Sequence, residues 1–224
     1  MSDTDSFIEE VTEEVRRDRL YGYLRKYGWI PALVIVAIVA GTGWNEYRKA
    51  TARAEAEALG DALIAALGEN EPEGRAQGLS TVEGSTPGNE AIVKMLLAAA
   101  QSNSDQVDEA VAGLNQIALN GDLPQIYRDI AAFKALLLQS ETLSADDRRT
   151  QFGALAQAGN PLRLLAEEQL ALIDVAEGET DAAIERLQAI LQDAEVTQDL
   201  QDRASQLIVA LGGTPEALLP VTQG

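Results

Sequence analysis

Residues 97–134, LAAAQSNSDQVDEAVAGLNQIALNGDLPQIYRDIAAFK, lie without a gap over residues 170–207, LALIDVAEGETDAAIERLQAILQDAEVTQDLQDRASQL. The offset is 73 residues, and nine of the 38 positions are identical. They are Leu97/Leu170, Ala98/Ala171, Asp108/Asp181, Ala110/Ala183, Leu114/Leu187, Ile117/Ile190, Gln125/Gln198, Asp129/Asp202 and Ala131/Ala204. Small residues at Ala98 and Ala110, and at Ala171 and Ala183, let two antiparallel helices approach closely. Leu114 and Leu187 then fill the space toward the next helix pair. Gly178 suits a tight turn between the helices of the second copy.

Outward from this repeat the helices are well punctuated. Thr86-Pro87, Asp122-Leu123-Pro124, Asn160-Pro161 and Thr214-Pro215 each set a capping side chain just ahead of a proline. Proline fits the first helical turn, where its missing N–H is no loss. Ser144 followed by Asp147 is a further start signal of the capping-box type. These signals predict helices over 88–103, 106–119, 123–140, 144–158, 161–177, 179–193 and 196–211. First helices of successive pairs begin near 88, 123, 161 and 196, at spacings of 35, 38 and 35. That is close to the roughly 34-residue period of a tetratricopeptide array. An ordinary bundle of antiparallel hairpins is the alternative. Strand alternation is rare and alanine abundant, so the expected fold class is all-α, with a repeat domain over 88–218 and a tail at 219–224.

Upstream, residues 46–87 read as membrane-proximal helices and a loop. NEYRKATARAEAEALGDALIAALGE is a long helix built from strong helix formers and ended by Gly68. A short helix over 72–82 follows within a Gly- and Pro-rich stretch. Residues 27–45, YGWIPALVIVAIVAGTGWN, carry no charge. As a helix they reach about 28 Å, near the ~30 Å hydrocarbon core of a bilayer. Trp29 and Trp44 bracket the run, as interfacial aromatics do in a transmembrane helix. A buried soluble helix would need neither end aromatic. The 26 preceding residues include seven acids and no suitable cleavage site follows, so an uncleaved anchor is expected rather than a secretory signal. Residues 1–26 form a polar tail, in which Phe7, Ile8, Val11 and Val15 recur at helical spacing. Five basic residues flank the run on its N-terminal side and three on its C-terminal side. This bias places the N-terminus in the cytoplasm and the large C-terminal part across the membrane.

Residues 51–224 hold 28 acids and 10 bases, a net charge of −18. Phosphates would be repelled, which argues against nucleic acid as a partner. The chain has no cysteine and no histidine. Disulfides, thiolate metal sites and the serine–histidine and cysteine–histidine forms of catalysis are therefore excluded. Acidic neighbours such as Asp146-Asp147, Glu167-Glu168 and Glu13-Glu14 point about 100° apart on a helix. They do not converge on one substrate atom and read as solvated helix faces. No catalytic residue, cofactor or metal is expected, and the chain reads as a non-enzyme.

A short tail, a single anchor ending in tryptophan, an Ala/Glu-rich helix and degenerate tetratricopeptide units together resemble the YfgM-like ancillary subunit of the SecYEG translocon. Leu97-Ala98, Ala110, Leu114, Leu170-Ala171, Gly178, Ala183 and Leu187 carry the tetratricopeptide part of the likeness. The pattern's usual first-helix tryptophan and tyrosine are missing, as is its closing proline, and Gly153 stands where a large residue is usual. The resemblance implies a bacterial inner-membrane, single-pass protein with a periplasmic domain. It also implies protein partners among translocon subunits and periplasmic chaperones in protein export. The other reading is a scaffold or assembly factor for a different envelope complex, respiratory or of cell division.

Overall fold

A computed structural model of the chain describes residues 25–27 and 29–216. The described residues are helical, with no strand. Two compact units divide the chain, residues 1–58 and 59–224. The polar tail at 1–24, with Glu13 and Glu14, and the end at 217–224 lie outside the described residues.

Helix α1 (Trp29–Leu67) opens the order and stops one residue before Gly68. In the first unit every described residue of α1 from Leu33 to Ala58 is exposed. The Thr42 hydroxyl donates to the carbonyls of Ile38 and Val39, at 3.0 Å each. The helix therefore satisfies its own polar side chain within the apolar stretch. Among the described residues no helix is long and apolar enough to cross a membrane. Gly28 and the side chains of Pro31 and Ala32 fall inside the expected 27–45 span and outside the described residues.

The second unit continues with α2 (Pro72–Ser80), α3 (Pro87–Ser102), α4 (Val107–Ala118), α5 (Gln125–Leu138), α6 (Ala145–Leu155), α7 (Arg163–Ala176), α8 (Thr180–Leu191) and α9 (Gln198–Ala210). Each expected helix is present, with its ends within three residues of the expected ones; the helix expected from 88 begins one residue earlier, at Pro87, and most others are slightly shorter. The Thr86 hydroxyl accepts the Asn89 amide at 3.2 Å, and Ser144 accepts that of Asp147 at 3.1 Å, so both expected caps form. Asp122 does not cap α5; the Asn120 carboxamide instead accepts the Asp122 amide at 3.0 Å in a side-chain turn. Asn160 does the same for Leu162 at 2.8 Å, so α7 begins at Arg163 rather than at Pro161.

Packing runs between sequence neighbours, α2 on α3 through to α8 on α9. The buried side chains fall into clusters, each shared by three consecutive helices. Ala98 on α3, Ala110 and Leu114 on α4, and Ala131 and Ala135 on α5 form one. Ala171 on α7, Leu187 on α8, and Leu200, Ala204 and Ile208 on α9 form its counterpart. Between them, Phe133 and Phe152 meet edge to face with centroids 5.6 Å apart. No single cluster of buried side chains spans the unit. Full burial of Leu114 and of Leu187 contributes about 1.5–3 kcal/mol each relative to exposure.

The 73-residue offset is a structural period as well. Moved by it, α4 falls on α8 residue for residue. The turn ahead of each repeats too. The Gln106 amide donates to the Gln101 carbonyl at 2.9 Å, and the Glu179 amide to the Asp174 carbonyl at 2.8 Å. Such a closure wraps a helix end around one left-handed residue. That residue is Gly178 (φ +80) in one copy and Asp105 (φ 58) in the other. Asp193 accepts the Glu195 amide at 2.9 Å, as Asn120 does for Asp122. Gln125 donates to Asp129 at 2.6 Å, and Gln198 to Asp202 at 2.9 Å.

Candidate interaction surface

Ala98, Ala110, Leu114, Ala171, Ala183 and Leu187 are at most 2% exposed. Leu97 and Leu170 face the other way. Leu97 packs on the cluster of Ala66, Ala76 and Leu79, and Leu170 joins Phe152 and Ala166. Each first helix is thus two-sided, with leucine turned toward the preceding pair and alanine toward its own. Gly153 has open space around it, so no large side chain is required there. Trp29 and Trp44 are exposed, with the Trp44 ring 6.4 Å from that of Tyr47.

One expectation fails. Glu167 and Glu168 are not a solvated face. Glu168 is buried, and both its oxygens accept from Arg203, at 2.7 and 2.8 Å. Glu167 accepts from Arg186 at 2.6 Å. Asp174, only 3% exposed, accepts from Arg149 at 3.2 Å and from Arg186 at 3.1 Å. A buried carboxylate survives only when it is paired and hydrogen-bonded, and each of these is. Asp146, by contrast, is almost fully exposed and only 3.8 Å from Arg149. These pairs join different helices, with partners up to 35 residues apart, so no spacing within one helix could disclose them.

Open space lies beside this network. A cavity of about 460 Å³ runs between α7 and α8, lined by Glu167, Glu185, Ile190 and Asp193 among others. A second of about 480 Å³ lies between the start of α7 and the start of α9, where Leu165, Glu195 and Leu200 contribute. Arg163 and Leu164 line both. The Arg163 guanidinium reaches Asp193 at 2.9 Å and Glu195 at 2.9 Å. The Arg163 side chain, followed by the Glu195 amide, holds the Asp193 carboxyl below its ordinary range. The same contacts push Arg163 upward. A smaller cavity of about 150 Å³ occupies the corresponding place between α3 and α4. There Glu90 replaces Arg163 and pairs with Lys94 on its own helix at 2.8 Å.

Among the described residues no group of acidic side chains is placed to hold a metal ion. The grooves offer carboxylates, guanidinium groups and aliphatic surface. No protein family matches the chain, and neither does a curated protein or a solved structure. The fold and the groove define an all-helical protein whose consecutive helices stack in register.

Proposed function

We propose that the chain is a membrane-anchored interaction module that binds other proteins, ancillary to the SecYEG translocon and periplasmic chaperones in protein export. On this reading residues 27–45 cross the inner membrane with the N-terminus cytoplasmic, and residues 88–218 are a tetratricopeptide-like periplasmic array. The observation that carries the anchor is in α1. Leu33, Val34, Ile35, Val36, Ile38 and Val39 are all about half exposed or more, on every side of the helix. A helix that is apolar all round is stable inside a protein core or a lipid bilayer, and no described core covers this one. Nearest-neighbour stacking supports the second half of the proposal, because stacked pairs present long surfaces suited to polypeptides.

Two measurements test it. Protease added to spheroplasts should degrade residues 51–224; protection until lysis would reverse the orientation. Gentle extraction with crosslinking should capture translocon or chaperone components. Reproducible capture of a different envelope complex would replace export by scaffolding of that complex.

A further inference from the structure

We infer that the groove along α7, α8 and the loop into α9 takes an extended polypeptide segment of alternating basic and aliphatic side chains. In the free protein Arg163 holds the place of one of those basic side chains. The inference rests on the reading of the domain as a protein-binding module and names the chemistry of what it binds.

Charge chooses the occupant. Glu167, Glu185, Asp193 and Glu195 line the two cavities, against Arg163 and Arg186. Arg186 is committed to Glu167 and Asp174, and Arg163 to Asp193 and Glu195. Glu185 has no ion pair within the described residues. The groove therefore keeps an excess of negative charge, in a segment (51–224) that itself carries −18. An anionic or neutral segment would be repelled or indifferent, whereas a cationic one would be drawn in. Leu164, Leu165, Ile190 and Leu200 supply the aliphatic floor. Side chains of an extended strand alternate in direction, so basic groups can meet the walls while aliphatic ones enter the cavities.

Arg163 divides this space. It lines both cavities, and its guanidinium lies against the Asp193 and Glu195 carboxylates that an incoming lysine or arginine would seek. Glu195 remains 80% exposed despite that contact, so a competitor can reach it. The first repeat lacks the device: with Glu90 at the matching position its cavity is about 150 Å³, against 460 Å³ here.

The test uses the full chain in nanodiscs of zwitterionic lipid, with empty nanodiscs as the blank. The probe is a labelled, end-capped ten-residue peptide of alternating lysine and leucine, read by fluorescence anisotropy. A glutamate–leucine peptide is its counterpart. The lysine peptide should bind saturably and weaken as salt rises, and the glutamate peptide should not bind. Glu185→Gln, which breaks no internal pair, should weaken binding about threefold, and Asp193→Asn with Glu195→Gln about fivefold. Arg163→Ala should tighten it, and Glu90→Gln should change nothing. Equal binding of both peptides, or one Kd across wild type, Glu185→Gln and Asp193→Asn/Glu195→Gln, would overturn the inference. So would weaker binding by Arg163→Ala at an unchanged melting midpoint. Capture of translocon or chaperone components that persists through the groove variants would overturn the groove while leaving the module reading intact. Failure of that capture in wild type, with peptide binding retained, would do the reverse.

Discussion

The two copies of the repeat share a backbone and differ in what joins their helices. In the first copy the positions matching the bridge residues Glu168, Asp174, Arg186 and Arg203 of the second are uncharged. Met95 and Ile130 stand at the positions that Glu168 and Arg203 occupy in the second copy, Gln101 stands for Asp174, and Gly113 for Arg186. In residues 170–207 the same register is crossed by arginine–carboxylate bridges from α6 to α9. Leu97, Ala98, Ala110, Leu114 and Ala131 are unchanged between the copies. Close helix contacts therefore set the period, and the polar positions beside them are free to diverge into different joinery. That freedom is where a groove appears in one copy and a small cleft in the other.

The largest effects should be blind to this difference. Leu114→Ala and Leu187→Ala each empty a fully buried site and should cost about 2–5 kcal/mol, by similar amounts, in chemical denaturation. A cost confined to one copy would show that the shared core does not hold both. Ala110→Leu and Ala183→Leu force a large side chain into a close helix contact and should each cost about 1–3 kcal/mol. An unchanged melting midpoint for Ala183→Leu would place that residue outside the contact.

The next effect should separate the copies. Asp174→Ala leaves Arg149 and Arg186 without their shared, nearly buried partner and should cost about 1–3 kcal/mol. Gln101→Ala, at the matching position, should stay within about 0.5 kcal/mol. Equal costs would refute the contrast between ionic and uncharged positions. At the left-handed turn, Gly178→Ala should destabilise by about 1 kcal/mol, while Asp105→Gly should be neutral or mildly stabilising.

The smallest effect is that of pH. Asp193 has its carboxyl pKa lowered in the folded state by Arg163. Its contribution is present above the unfolded carboxylate pKa and is lost as pH falls through that value toward the lower folded one. Amide protection factors around α7–α9, corrected for the intrinsic exchange rate at each pH, should fall between pH 6 and pH 3 in wild type, and less so in Asp193→Asn, which has already lost the contribution. The group remains partly exposed, so the change should be slight.

Much of this was legible in the sequence because it is local. Thr86 and Ser144 announce helix starts through partners three residues on. Ala98, Ala110 and Leu114 repeat at 73 residues because helices can approach only where side chains are small. By itself the sequence determined an all-helical domain, its helix boundaries to within a few residues, and which apolar positions pack. Tertiary structure alone decided which carboxylates are buried. Glu167 and Glu168 look like a solvated pair, and only the rotation of α7 against α8 and α9 turns them toward Arg186 and Arg203. The physical reason is range. Caps and turns are set by neighbours along the chain, whereas an ion pair between helices depends on how two surfaces are brought face to face.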